Sequence, residues 1–76
     1  MLERVSIPVE NTLIEFVCGD NDQNLAFFYK KSGVVHLNVD KDKHTGNFSI
    51  IAIGTHRAVD DLATIVQTHI NLHNEY

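Results

Sequence analysis

The sequence predicts an α+β domain in which an antiparallel meander of about five strands precedes one C-terminal amphipathic helix, packed on one sheet face. Three observations point that way. Short apolar runs of period two, bounded by turn-forming residues, succeed one another up to about residue 55, the pattern of half-buried strands. From His56 onward the apolar residues recur with the period of a helix instead. No repeat, linker or low-complexity stretch divides the 76 residues. That length falls within the roughly 50 to 250 residues of a single domain, so residues 1–76 read as one unit.

The first strand, at about residues 4–9, sets Val5, Ile7 and Val9 on one face; Pro8, with no amide to donate, suits an edge position. Glu10 and Asn11 turn the chain into a second strand at 12–18, with Ile14, Phe16 and Cys18 opposite Leu13, Glu15 and Val17. "GDNDQN", from Gly19 to Asn24, is a loop by composition, since Gly, Asn and Asp tolerate turn conformations. "LAFFYKK" reads as a third strand at 25–31, with Leu25, Phe27 and Tyr29 on one face and Ala26 and Phe28 on the other. Ser32 and Gly33 reverse the chain into a fourth at 34–40, where Val35, Leu37 and Val39 alternate with Val34, His36 and Asn38. "KDKHTG" makes the next loop and "NFSIIAI" the fifth strand, at 47–53.

The helix is expected over about 56–74, with Thr55 as its N-cap, because a hydroxyl there accepts from an otherwise unpaired amide. On a wheel of about 100° per residue, Val59, Leu62, Ala63, Val66 and Ile70 share one stripe, with Ile65, Leu72 and Tyr76 beside it. The apolar arc then spans about half the circumference, more than the roughly 100° that covering one sheet face requires. The third and fifth strands are also apolar on both faces. One helix covers one face, so this surplus predicts burial against another chain. The residues expected at that interface are Phe27, Tyr29 and Ile51 on the sheet, and Ile65, Leu72 and Tyr76 on the helix flank.

Size gives an independent reason to expect association. A chain this short buries only about 60% of its unfolded surface, and its balance of burial against conformational entropy falls near zero. Cys18 is the one cysteine, which rules out an intrachain disulfide and a Cys-rich zinc site. Together with an N-terminus, "MLERVSIPVE", that has no continuous apolar core of the signal-peptide kind, it points to a reducing, cytoplasmic setting. No apolar run approaches the roughly 20 residues that span a bilayer, so no membrane partner is expected.

The net charge of −4 is unevenly placed. Residues 1–23 carry Glu3, Glu10, Glu15, Asp20 and Asp22 against Arg4; residues 24–57 carry Lys30, Lys31, Lys41, Lys43 and Arg57 against Asp40 and Asp42. Overall acidity argues against generic duplex DNA binding, which rests on Lys and Arg neutralising phosphates. In the basic middle third, "FFYKK" sets aromatic rings beside lysines. On a sheet face, that combination stacks single-stranded bases. Lys30, Lys31, His56 and Arg57 are the contacts expected for an anion or a nucleic acid, although Asp60 and Asp61 follow closely and repel a phosphate.

Catalytic and metal motifs are weak. His69 and His73 have the i, i+4 spacing of two ligands on a helix, but "HINLH" lacks the Glu of HExxH and supplies no third ligand. "DKDKHTG" departs from a calcium loop, with Thr45 in place of the Gly and Ile51 in place of the bidentate Glu. Cys18, on a presumed core face, reads as a small hydrophobe, and no Gly-rich phosphate loop is present. No metal and no cofactor are therefore expected. The chain reads as a small, acidic, non-enzymatic binding or regulatory module of the adaptor or inhibitor type. It is expected to act through protein contacts as a homodimer; the alternative is a single-strand nucleic-acid binder using an aromatic and basic sheet face.

Overall fold

The computed structural model describes residues 1–74; Tyr76 of the expected helix flank lies outside them. In chain order the elements are β1 (Glu3–Val9), α1 (Ile14–Cys18), a 3-10 turn (Asp20–Asp22), α2 (Gln23–Ser32), β2 (His36–Lys41), β3 (Phe48–Gly54) and α3 (His56–Asn74). The fold is α+β, but the five-stranded meander with a single helix is overturned. Three antiparallel strands lie in the order β1-β3-β2, and the expected strands at 12–18 and 25–31 are α1 and α2.

Local chemistry explains the exchange. Residues 23–32, "QNLAFFYKKS", contain no β-branched side chain and hold several good helix formers. Read at helical period, Leu25, Phe28 and Ser32 turn inward, and Phe27, Tyr29 and Lys30 outward. Lys30 and Lys31 occupy the last turn, and Gly33 follows in a left-handed conformation, φ 82°, with its amide donating to the Tyr29 carbonyl. These are the marks of a helix C-terminus. Ser32, buried there, donates from its hydroxyl to the Phe28 carbonyl at 2.7 Å, so its polarity is satisfied within the helix. In α1, period-two alternation over so short an apolar run did not distinguish strand from helix.

Around β3 the residue pattern and the structure agree. β1 pairs with it from Glu3↔Gly54 to Val9↔Phe48, and β2 from His36↔Ile53 to Lys41↔Phe48. Asp42, "KHTG" and Asn47 close the β2–β3 hairpin: the Asp42 amide donates to the Asn47 carbonyl, the Gly46 amide to Asp42, and Gly46 takes φ 78°. On the helix-covered face Ile50 and Ala52 are fully buried, beneath Val59, Leu62 and Val66 of α3. The Thr55 hydroxyl accepts from the Ala58 amide at 3.2 Å and caps α3. Ala63, placed in the apolar stripe by its wheel position, is exposed, and Ala58 is buried instead. Gly54 lets β3 meet α3, since a Cβ there would stand 3.1 Å from the Val34 Cα and 3.2 Å from the Ala58 Cβ.

The surplus of apolar surface resolves in two ways. α1 and α2 pack against α3, so the wide arc of α3 serves a helical layer as well as the sheet; Ile65 and Ile70 are half-buried against the core. On the open sheet face, Ile51 lies between Ser6 and Asn38, and Ile53 between Arg4 and His36. Apart from Pro8, the two edge strands are polar on that face, and the central strand's isoleucines are half-buried between them.

Candidate functional site

α3 packs on β1 and β3, which leaves the helix-side face of β2 to the shorter helices. They do not seal it. A groove of about 720 Å3 lies between them and the sheet, within the roughly 300–1,000 Å3 typical of ligand sites. Ile14, Cys18 and Leu25 line its helical side, and Leu37, Val39 and Phe48 its sheet side. Ile14 and Cys18 reach it together because residues four apart share a helix face.

The charged side chains that line the groove are Glu15, Asp20 and Asp22, all exposed. On the sheet side, Lys41 Nζ lies 5.7 Å from the Phe48 ring centroid, in cation–π range. Asn21 and Asp22, at the acidic lip, both take left-handed backbone conformations, φ 53° and 59°. Asn and Asp are the non-glycine residues that visit this region most readily, and such conformations cluster at binding sites. Burial, and then the Asp22 carboxylate, push the Cys18 thiol above its ordinary range. Its reactive thiolate is correspondingly scarce.

Behind the groove, Phe16 joins α1 to α3. Its ring stands 4.5 Å from His69 and 4.4 Å from His73, centroid to centroid, each pair tilted, by 32° and 49°. The Phe16 carbonyl accepts from the Asn24 amide nitrogen at 3.3 Å and faces His69 Nε2 at 3.2 Å. Asn24 Nδ2 also approaches His69 Nε2 at 3.4 Å: a protonated Nε2 donates to the Phe16 carbonyl, and an unprotonated one accepts from Asn24. The i, i+4 histidines thus clasp an aromatic ring. Among the described residues no group of three or more His, Cys, Asp or Glu side chains is placed to hold a metal ion.

The residues expected at an interface are scattered over several surfaces. Phe27 and Tyr29 are 48% and 44% exposed, but on α2 and not on a sheet, so the aromatic and basic sheet platform does not exist. Phe27 lines a shallow depression with Lys30 and Lys31, and Tyr29 another with Lys30 and Leu37. Ile51 is on the open sheet face, separated by the sheet from Ile65 and from Leu72, which is 47% exposed. His56 and Arg57 open α3, where His56 Nδ1 meets Glu3 at 3.1 Å and Arg57 meets Asp61 at 4.0 Å. Two of the four residues expected to hold an anion, His56 and Arg57, thus each face a carboxylate. The groove residues were missed because α1 was read as a strand; the Ile14 to Cys18 spacing, taken as helical, would have found one wall.

No protein-family model matches the chain, and no curated protein matches it in sequence. Among the described residues no helix is long and apolar enough to cross a membrane.

Proposed function

We propose that the chain is a small non-enzymatic binding module of the adaptor or inhibitor type, which takes an apolar and basic segment of a partner protein into the groove between α1, α2 and β2. One observation carries the reading: an apolar lining, from Ile14 to Phe48, whose charged members are all acidic. An occupant that inserts aliphatic or aromatic side chains and presents Lys or Arg to Glu15, Asp20 and Asp22 satisfies both features, and complementary charge speeds its encounter and sets its orientation. A polyanion is repelled at the same lip. The raised thiol of Cys18 supports binding over nucleophilic chemistry.

The test uses synthetic peptides that interleave Leu or Phe with Lys, beside copies with Glu for Lys, titrated into 15N-labelled protein. Lys-bearing peptides are expected to shift the amides of Cys18, Leu25, Leu37 and Val39, and Glu15→Lys with Asp20→Lys to abolish the effect. Equal binding of acidic and basic peptides would overturn the proposal. So would a single-stranded oligonucleotide that shifts Phe27, Tyr29, Lys30 and Lys31 while no peptide enters the groove.

A further inference from the structure

The sheet has two free edges, and they are not alike. Asp42 donates its amide to Asn47 in line with the β2–β3 register. Antiparallel ladders alternate hydrogen-bonded and non-bonded pairs, so the even-numbered residues of β2 bond to β3. Leu37, Val39 and Lys41 therefore turn their N–H and C=O groups to the outer edge. By the same alternation the outer edge of β1 belongs to Arg4, Ser6 and Pro8. Pro8 has no amide to offer there, a common way to close an edge strand to pairing. The outer edge of β2 contains no proline.

We infer that β2 pairs antiparallel with β2 of a second copy of this chain, in the register centred on Asn38, to make one continuous six-stranded sheet. The sequence of β2, "HLNVDK", is complementary to itself in that register. Leu37 exchanges both backbone bonds with Val39 of the second copy, and their side chains meet on the groove face, where each is half-buried in the single chain. On the open face His36 stands opposite Asp40 of the second copy, and the arrangement repeats across the two-fold axis. Both side chains are exposed in the single chain. Asn38 faces its own copy on the axis, where an amide supplies both donor and acceptor. A histidine opposite a carboxylate, to which a ring N–H can donate, and apolar pairs directly across a ladder are the contacts that stabilise a sheet. A register two residues further along sets Leu37 against Lys41 and keeps one apolar pair, Val39 against its own copy, in place of two. An isologous contact of this kind closes at two chains.

Self-pairing extends the role of the chain as a contact module and fails separately from it. The test is sedimentation velocity on the full chain, with circular dichroism to confirm that each variant folds. The wild type is expected at twice the chain mass of 8.6 kDa. Asp40→Lys sets Lys against His36, and His36→Asp sets Asp against Asp40; each alone is expected to shift the chain to monomer, at least tenfold weaker in self-association. Mixed in equal amounts, the two variants restore both opposed pairs and are expected to sediment together as a heterodimer. A wild type that stays monomeric overturns the pairing, as does a dimer that neither substitution weakens. A monomer that still binds basic peptides in its groove refutes the pairing and leaves the groove reading standing.

Discussion

The two flanks of the central strand are built from similar side chains and end differently. On the β1 flank, Val9 is buried and α3 lies across the sheet, with Leu62 and Val66 fully buried over Ile50 and Ala52. On the β2 flank, Leu37 and Val39 are half-buried, as Val5 and Ile7 are on β1, but no inward residue of β2 is fully buried, and α1 and α2 reach across without closing over them. Aliphatic residues on a strand therefore do not by themselves decide between core and site; what the next layer covers decides it.

The sharpest way to break this contrast is Leu62→Ala. A fully buried leucine should cost about 2–5 kcal/mol on truncation. At about 4–8 °C per kcal/mol for a small domain, a thermal melt followed by circular dichroism should fall by tens of degrees. A small shift would mean that the α3 layer is loose. Next comes Gly54→Ala, whose added methyl meets the Val34 backbone and the Ala58 side chain; overpacking of this kind costs about 1–3 kcal/mol, read from the urea midpoint. Leu25→Ala sharpens the contrast from the other side. It makes the same substitution as in α3, but at a half-buried position on the groove, and should cost only about 1 kcal/mol. A loss equal to that of Leu62→Ala would show that the open flank is as structural as the sealed one.

Cys18 gives a smaller effect with a defined sign. Its thiol pKa is raised in the folded chain, so folding favours the protonated form. That contribution is complete below the ordinary thiol range and is lost as pH rises through and beyond it. Between pH 7 and pH 10 the wild type should lose more stability than Cys18→Ala, and iodoacetamide should label the folded chain more slowly than the urea-unfolded chain at equal pH. Equal labelling rates would mean that the groove floor is open to water. Smallest of all is Glu3→Gln. The carboxylate faces His56 at 3.1 Å, but the His56 side chain is 82% exposed, and surface pairs of this kind contribute no more than about 1 kcal/mol. A melt displaced by more than a few degrees would show that the link between β1 and α3 bears more of the fold than its exposure suggests.

Legibility in the sequence followed the same division. Most of the sealed flank could be read: β1 with its inward Val5, Ile7 and Val9, the strand expected to end at Ile53, the Thr55 cap and, Ala63 apart, the α3 stripe carry clear local signals. The middle of the chain could not, because "LIEFVC" and "LAFFYKK" satisfy both a period of two and a helical period over so few residues. The signals that separate the two readings were present, in the missing β-branched residues of "QNLAFFYKKS" and in the lysines before Gly33, but they are weaker than an apolar repeat. Misreading those two helices hid the groove. It also made the surplus of apolar side chains look like an uncovered sheet.

By itself, the sequence determined the α+β class, the long C-terminal helix with its cap, and the proline that closes one sheet edge. Each follows from a local rule of backbone geometry or side-chain period. Tertiary structure decided everything that depends on residues distant in the chain: the order β1-β3-β2, the clasp of His69 and His73 around Phe16, and the meeting of Ile14 and Cys18 with Leu37 and Val39 across an acidic lip. Those contacts join segments tens of residues apart. Their placement depends on which layer packs over which, and no local propensity encodes that.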